Sequence, residues 1–245
     1  MSGHSKWSQI KHKKALTDAK KGKVFSKLAR LITVIARQKG GNQDINPQLR
    51  IAIEKARSLN MPNDNIERAI KKGAGELEGE KMEEMTIEAY GPGSVALMIE
   101  AVTDNKNRTF SEIKHILSQY GGKNAEAGSV NWLFEKKGGL IINLADSGLK
   151  KDDLELLVID SGAQDLKWEA AEMLEVYTKT EDLGKIKKDL EEKNIKIESA
   201  SLDWVPKNEI EINDLKTKER LEKLLLALDE HQDVQEIYSN IKIPN

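Results

Sequence analysis

Through the first 75 residues, hydrophobic positions recur at the three- and four-residue spacing of amphipathic helices. Glycine pairs and capping residues divide this region into four predicted helices. Asn46-Pro47 is typical of a helix start, and Asp64 with Glu67 resembles a capping box. The predicted helices cover residues 8–20, 23–38, 47–59 and 64–73. A charged stretch with three glycines, residues 73–84, is the predicted linker to the rest of the chain.

Beyond this linker the pattern changes to a mixture of strands and helices. A hairpin is predicted around Gly91-Pro92-Gly93, and Thr109 with Glu112 predicts a capping box for a helix. The predicted strands are 85–90, 95–102, two strands around Gly138-Gly139, 164–168, 173–178, 195–204, 209–212 and 234–239. The predicted helices are 110–120, 150–160, 181–193 and 215–228.

The count of elements predicts how these segments combine. Residues 84–134 supply few strands, and the tail after Pro206 has no sheet of its own to join. Because a small α+β sandwich needs both layers filled, the tail is expected to complete the earlier unit. The predicted fold is an N-terminal helical domain followed by two small α+β sandwich domains, the middle one discontinuous. The expected boundaries are 1–75 for the basic helical domain, 84–134 plus 206–245 for the discontinuous domain, and 135–205 for the inserted one.

The net charge of −2 conceals a strong asymmetry. Residues 1–75 contain 17 Lys and Arg against five acidic residues, a net charge of +12, which leaves −14 for residues 76–245. Such a split is typical of a basic domain that faces a polyanion. On the predicted helix 23–38, the cations share one stripe and the large apolar residues the opposite one. An ordinary solvated face would mix both signs of charge.

The basic residues of the first helices and head are therefore the candidate nucleic-acid contacts. Trp7 has two interpretations, stacking on an exposed base or covering the core of the helical domain. A solvated or membrane-surface face is the alternative for the whole set. Arg108 is a second, weaker candidate patch. The candidates in the first 75 residues are His4, Lys6, Trp7, Lys11, His12, Lys13, Lys14, Lys20, Lys21, Lys23, Lys27, Arg30 and Arg37.

The sequence patterns that would indicate other functions are absent or incomplete. The chain has no cysteine, which excludes disulfides and thiolate chemistry, and four scattered histidines predict no metal site. GPGSVA (residues 91–96) fits a dinucleotide pattern, but a β-rich run follows it, so a hairpin turn is predicted. AVTDNKNRT lacks the glycine and glutamate of a calcium loop; Asp104 and Asn105 are interpreted as turn residues, and Asn107 or Thr109 as a helix cap. No enzyme activity and no cofactor are predicted.

Targeting signals also fail. No apolar run is long enough to span a membrane, and the basic start lacks the apolar core of a secretory signal. A mitochondrial presequence would favour arginine and serine over the lysines found here. The start is therefore predicted to belong to the folded protein.

Five stretches carry a family resemblance: GHSKW, IKHKKALTDAKKGKVFSKL, NPQLRIAIEKARSLNMPNDNIERAIKKG, YGPGSVALMIEAVTDNKNRT and GSVNWLF. Together they resemble the YebC/PmpR family. The resemblance implies three domains with a discontinuous middle one, a cytoplasmic protein, and no enzymatic activity or cofactor. Through GHSKW it also implies a functional role for His4, Ser5, Lys6 and Trp7. The glycine-rich loop of the family before the third helix is altered here, at residues 39–44, so no contact is assigned to it.

Two functions are ascribed to relatives in that family: DNA binding that regulates transcription, and action at the ribosome, including relief of stalling at proline runs. The family description favours a DNA-binding transcriptional regulator. The lysine-rich character of the candidate residues, with Gln38 the only amide near the cations of helix 23–38, favours phosphate contacts and structured ribosomal RNA. The expected partner is DNA or ribosomal RNA, with the ribosome as a further partner in the second case. No membrane or small-molecule partner is expected.

Overall fold

The computed structural model describes residues 18–79, 81–169 and 172–242, with side chains described from residue 21 onward. These residues form two compact units. Residues up to 131 join residues 212–237 in the first unit, and residues 132–211 join those from 238 onward in the second.

The described elements are helices up to residue 74 and a mixture of helices and strands beyond it, as the sequence predicts. In chain order they are α1 (Asp18–Lys39), α2 (Pro47–Ser58), α3 (Asn63–Ala74), β1 (Glu83–Tyr90), β2 (Ala96–Thr103), α4 (Lys106–Gln119), β3 (Lys123–Asn124), β4 (Phe134–Asn143), α5 (Leu144–Ser147), α6 (Lys151–Asp160), β5 (Asp165–Glu169), β6 (Met173–Thr178), α7 (Leu183–Glu192), β7 (Ile197–Pro206), α8 (Leu215–Glu230) and β8 (Val234–Ser239). Short 3₁₀ turns occupy Pro92–Ser94 and Asn131–Leu133.

The three described N-terminal helices share one apolar core. Its fully or nearly buried members include Leu28, Ile32, Leu49, Ile53, Ala56 and Ile66. The start of α2 is built as predicted, because the Asn46 side chain accepts a hydrogen bond from the Leu49 backbone N–H at 3.1 Å. The predicted break at residues 20–23 is wrong, since α1 continues through Gly22. A single exposed glycine costs a helix only about 1 kcal/mol, which the packed apolar face offsets.

The packing of α1 against α3 depends on Gly73. A Cβ atom at this position would lie 2.3 Å from the Thr33 carbonyl oxygen. The Thr33 hydroxyl lies within hydrogen-bonding distance of the carbonyl oxygens of Ala29, at 2.8 Å, and Ala69, at 3.1 Å. Gly73 was predicted to end the helix, and that prediction is wrong. It lies inside α3, and Gly75 ends the helix with a left-handed backbone at φ 81°.

Two capping predictions are also wrong. The residue before α3 is Pro62, which makes no side-chain cap, so Asp64 and Glu67 form no capping box and Asp64 lies in the first turn. An acidic residue there still favours the positive end of the helix dipole. The cap of α4 is Asn105, which accepts a hydrogen bond from the Arg108 backbone N–H at 3.1 Å. Thr109, predicted as a cap, is buried inside the helix.

The first sheet has the strand order β3-β1-β2-β8. β1 and β2 form the predicted hairpin, with Glu83 opposite Thr103 and Tyr90 opposite Ala96. β2, not a helix, follows the glycine-containing turn at residues 91–94. β8 comes from the C-terminal tail, which confirms the fold class with a discontinuous middle domain. The predicted strand at 209–212 is wrong, because only a single bridge from Ile210 to Ile241 forms there.

The second sheet has the strand order β5-β6-β4-β7, with antiparallel pairing throughout. Two strands were predicted around Gly138-Gly139, but one strand, β4, runs straight through both. A Cβ atom at Gly138 would lie 2.3 Å from the Thr178 hydroxyl and 2.8 Å from the Leu183 Cβ. Gly138 therefore lets α7 approach the sheet closely, and it makes no turn. Among the described helices, none combines the length and the hydropathy that a membrane span requires.

Candidate nucleic-acid interface

The predicted nucleic-acid residues fall into two groups with respect to the structure. His4, Ser5, Lys6, Trp7, Lys11, His12, Lys13, Lys14 and the side chain of Lys20 lie outside the described residues. The described ones are Lys21, Lys23, Lys27, Arg30, Arg37 and Arg108. Of these, Lys21, Lys23 and Arg37 are exposed on α1, and their role in binding stays a prediction.

The cation stripe of α1 lies partly against the rest of its own compact unit. Val34 falls about 20° from Lys23 on the helical wheel, within the stripe, yet it is only 2% exposed. Beside it, the Lys27 ammonium donates to the Asp229 carbonyl oxygen at 2.6 Å and lies 3.8 Å from the Asp229 carboxylate. The stripe therefore carries only positive charge for a reason within the protein. Its negatively charged partners lie at the end of α8 and in the residues that follow α8.

Arg30 of the same stripe is also bound to the C-terminal part of its unit, through a more deeply buried carboxylate. Its guanidinium donates to the Gln232 carbonyl oxygen at 3.1 Å and forms a short ion pair with the carboxylate of Asp233, whose side chain is fully buried. The other carboxylate oxygen of Asp233 accepts from Arg108 at 2.8 Å and from the Thr109 hydroxyl at 2.7 Å. Two predicted nucleic-acid contacts, Arg30 and Arg108, thus share one buried carboxylate.

The electrostatics of Asp233 follow from this arrangement. Burial opposes ionisation of the carboxyl, but hydrogen bonds from Thr109 and Arg108, with the charge of Arg30, outweigh burial and hold the pKa of Asp233 below its usual value. A carboxylate with these partners stays ionised at neutral pH. Arg108 is held further by the Asp104 carboxylate at 2.8 Å. The network ties α1 and α4 to the turn before β8.

Glu112, His231 and Asp233 place potential metal-ligand atoms within 4.8 Å of one another. Their other contacts argue against a cation there. Both oxygens of Asp233 already accept from cationic or hydroxyl donors, and the guanidinium groups of Arg30 and Arg108 would repel a metal ion. The His231 ring binds Glu112 at 2.9 Å and accepts from the Asp233 backbone N–H at 3.2 Å. We therefore interpret the cluster as a structural ion-pair network.

A second basic surface lies on α3 and was not among the predicted sites. Arg68, Lys71 and Lys72 recur at three- and four-residue spacing, so they share one helix face. All three are exposed, and none forms an ion pair with the residues that the structure describes. The opposite face is buried and contains Ile66, Ala69 and Gly73. We call Arg68, Lys71 and Lys72 the α3 basic face. Their spacing, visible in the sequence, was the signal that could have found them.

The helices and the two sheets place the chain among multidomain α and α+β proteins, and comparison with known proteins gives its family. A family model described as TACO1/YebC protein N-terminal domain matches residues 5–76, and one described as TACO1/YebC second and third domain matches residues 82–241. The chain belongs to the TACO1/YebC family. This confirms the family resemblance carried by the sequence motifs.

Individual relatives agree over nearly the whole chain. A protein of Halothermothrix orenii is 51% identical over 245 residues, which are 100% of this chain and 96% of that protein. A protein of Thermotoga maritima is 47% identical, covering 99% and 94%. Both are named probable transcriptional regulatory protein. The crystal structure of a conserved hypothetical protein from Aquifex aeolicus superposes with a TM-score of 0.88 at 46% identity, covering 98% of each chain.

Proposed function

We propose that this chain regulates gene expression by binding nucleic acid through its N-terminal helical region, without catalysing a reaction. The names of its relatives support a regulatory role in transcription, which makes DNA the first candidate partner. The proposal includes a cytoplasmic location. It also retains the three domains at 1–75, 84–134 with 206–245, and 135–205. The membership of β8 in the first sheet supports the discontinuous middle domain.

The observation that carries the proposal is the α3 basic face. Residues 21–75 contain twelve Lys and Arg against four acidic residues. Lys27, Arg30 and Lys55 form ion pairs within the protein, and the pair of Lys55 is with Glu236 at 2.6 Å. The α3 basic face has no such partners among the described residues. Exposed cations on one helix face can neutralise successive phosphates and release counterions, which drives binding to nucleic acid.

The test compares two pairs of charge reversals with the same spacing. Arg68→Glu with Lys71→Glu removes two cations of the α3 basic face. Lys185→Glu with Lys188→Glu makes the same charge change on α7 and serves as the matched control. We expect the first pair alone to weaken binding in fluorescence anisotropy and to lower the slope of log affinity against log salt by about two. Equal effects of both pairs would reject the α3 basic face as the site.

A second candidate function, action on ribosomal RNA, is favoured by the composition of the same face. Between Arg68 and Lys72 there is no Asn or Gln, the residues that read adenine edges in the major groove. Lysine and arginine alone suit phosphate contacts, which do not require a DNA sequence. Crosslinking in cells, followed by sequencing of the attached nucleic acid, separates the candidates. Discrete promoter DNA supports the transcriptional function, and ribosomal RNA supports the translational one.

A further inference from the structure

Helix α6 of the second unit is apolar on two opposite sides, and only one of these sides is buried. Leu154 and Val158 have no exposed surface. Leu156, by contrast, is 61% exposed, and Ile159 is 53% exposed. At about 100° per residue, Leu156 lies about 180° from the midpoint of the two buried residues, so it points directly away from the core. A helix that is apolar all round is normally buried all round. The outer side of α6 is therefore typical of a surface that another molecule covers.

Contacts of its inner side hold α6 in place within the second unit. The Glu155 carboxylate accepts a hydrogen bond from the Trp168 indole N–H at 2.5 Å, which ties α6 to β5. Lys151, the only lysine of α6, places its ammonium 4.6 Å from the centre of the Trp168 ring. A helix that is already fixed loses little conformational entropy when a partner binds to its free side. Pre-organisation of this kind raises the affinity for a partner.

Three carboxylates surround the two exposed apolar side chains. On the helical wheel, Asp152 and Asp160 lie about 40° to either side of Leu156, and Asp153 lies about 60° from it. All three are exposed, and none forms an ion pair with a residue that the structure describes. The helix dipole favours an acid in the first turn, but it disfavours Asp160 at the C-terminal end. We call Asp152, Asp153, Leu156, Ile159 and Asp160 the α6 outer face.

The carboxylates decide which class of molecule fits the α6 outer face. Residues 135–205 contain 17 acidic residues and 11 lysines, with no arginine, a net charge of −6. Nucleic acid and anionic lipid surfaces carry negative charge, so this face would repel them. A second copy that docked through the same face would place carboxylates opposite carboxylates, because a two-fold contact uses the same patch on both subunits. The complementary surface is a positively charged protein segment with apolar side chains at its centre.

We propose that the α6 outer face binds a basic amphipathic helix of another protein. Leu156 and Ile159 pack against the apolar side chains of that helix, and the three carboxylates pair with its lysines or arginines. In paired helices, apolar side chains interdigitate at the contact and flanking charges select the partner. α6 has 10 residues and is about 15 Å long, so the contact is small and the complex is transient. This interaction goes beyond the proposed function, because the α3 basic face takes no part in it.

The first test uses a short synthetic peptide of leucine and lysine, with its leucines on one helix face, as the probe. NMR titration of the isotope-labelled full-length protein is expected to shift chiefly the amides of α6. Leu156→Ser should weaken binding by at least about fivefold, the effect of losing a central apolar contact. It should leave the unfolding temperature nearly unchanged, because the side chain is exposed. Leu226→Ser is the matched control, because Leu226 is 47% exposed on α8, and it should bind like the wild type.

The contribution of charge is tested with a second pair of variants. Asp152→Asn with Asp160→Asn should weaken peptide binding several-fold and make it less sensitive to salt. Glu222→Gln with Glu230→Gln is the matched control, since it removes two exposed carboxylates at the same eight-residue spacing on α8. Unchanged affinity of Leu156→Ser, equal losses from both pairs, or amide shifts spread over the whole acidic surface would overturn the proposal.

Photocrosslinking in cells identifies the native partner. A photoreactive amino acid replaces Asp153 at the rim of the α6 outer face, and Lys223 of α8 in the control protein. We expect position 153 to capture a basic helical peptide of another protein, and Leu156→Ser to abolish the capture. Capture of nucleic acid, of lipid or of a second copy of this chain, or no capture above that at position 223, would overturn the proposal. Loss of nucleic-acid binding by the α3 variants tests the proposed function alone, because it involves a different surface.

Discussion

Arg30 of α1 forms an ion pair with the buried carboxylate of Asp233, 203 positions later in the chain. Asp233→Asn is expected to destabilise the protein by about 2–4 kcal/mol, because it leaves Arg30 and Arg108 without their shared counter-charge. Urea unfolding monitored by circular dichroism measures this change. Asp104→Asn, which removes only the half-exposed partner of Arg108, is the control, with an expected loss below about 1 kcal/mol. A loss as small as the control's in Asp233→Asn would contradict the structural role of the network.

The pKa of Asp233 predicts how stability depends on pH. Because this pKa is lower in the folded protein than in the unfolded chain, the unfolded chain takes up the proton first as pH falls. The stabilisation is complete above the ordinary aspartate pKa of about 3.9 and is lost as pH falls towards the folded value. Unfolding at a series of pH values should therefore show a shallower acid loss in Asp233→Asn than in the wild type. Parallel curves for the two proteins would contradict this contribution.

The two glycines of the N-terminal helices should respond oppositely to alanine. Gly73→Ala places a methyl group against the Thr33 carbonyl oxygen and should cost about 1–3 kcal/mol through overpacking. Gly22→Ala is the matched control, because no atom lies within 4 Å of its Cβ position in α1, and it should stabilise the protein by about 0.5–1 kcal/mol. Chemical denaturation measures both. The same sign of change in both variants would refute the close approach of α1 and α3.

Glu88 should control the order of the loop before Trp132. In Glu88→Gln a neutral amide replaces a carboxylate that accepts three N–H bonds, and charged acceptors bind such donors more strongly than neutral ones. Hydrogen exchange at the Gly128, Val130 and Asn131 amides should become faster, while exchange in the second sheet stays the same. Glu126→Gln, an exposed neighbour, serves as the control. Unchanged exchange at all three amides would show that Glu88 does not hold the loop.

The sequence predicts most elements here because hydrophobic spacing decides them locally. The hairpin at residues 91–94 and the helix cap at Asn46 both follow from nearby residues. Gly73 and Gly138 mislead because glycine serves two purposes, a turn or a close approach, and only the partner distinguishes them. Those partners, the Thr33 carbonyl oxygen and the Thr178 hydroxyl, lie 40 positions away in each case and are invisible to a local pattern.

In the candidate site, too, features decided by nearby residues could be predicted, and features decided by distant partners could not. The one-signed stripe of α1 predicts a binding surface because residues 23–38 contain no acid. Asp229 and Asp233, which supply the counter-charges for Lys27 and Arg30, follow more than 200 positions later. The α3 basic face needed no such information, since its spacing is local.

The placement of β8 beside β2 also sets an order of events during synthesis. α1 is made early, but the carboxylate that holds Arg30 is made about 200 residues later, which is roughly 10–40 s at ordinary elongation rates. Until then β2 has one unpaired edge, and Lys27 and Arg30 lack the carboxylates of Asp229 and Asp233. A nascent chain of this protein therefore keeps one edge of β2 open, and lacks the counter-charges of Lys27 and Arg30, until the segment from α8 to β8 is made.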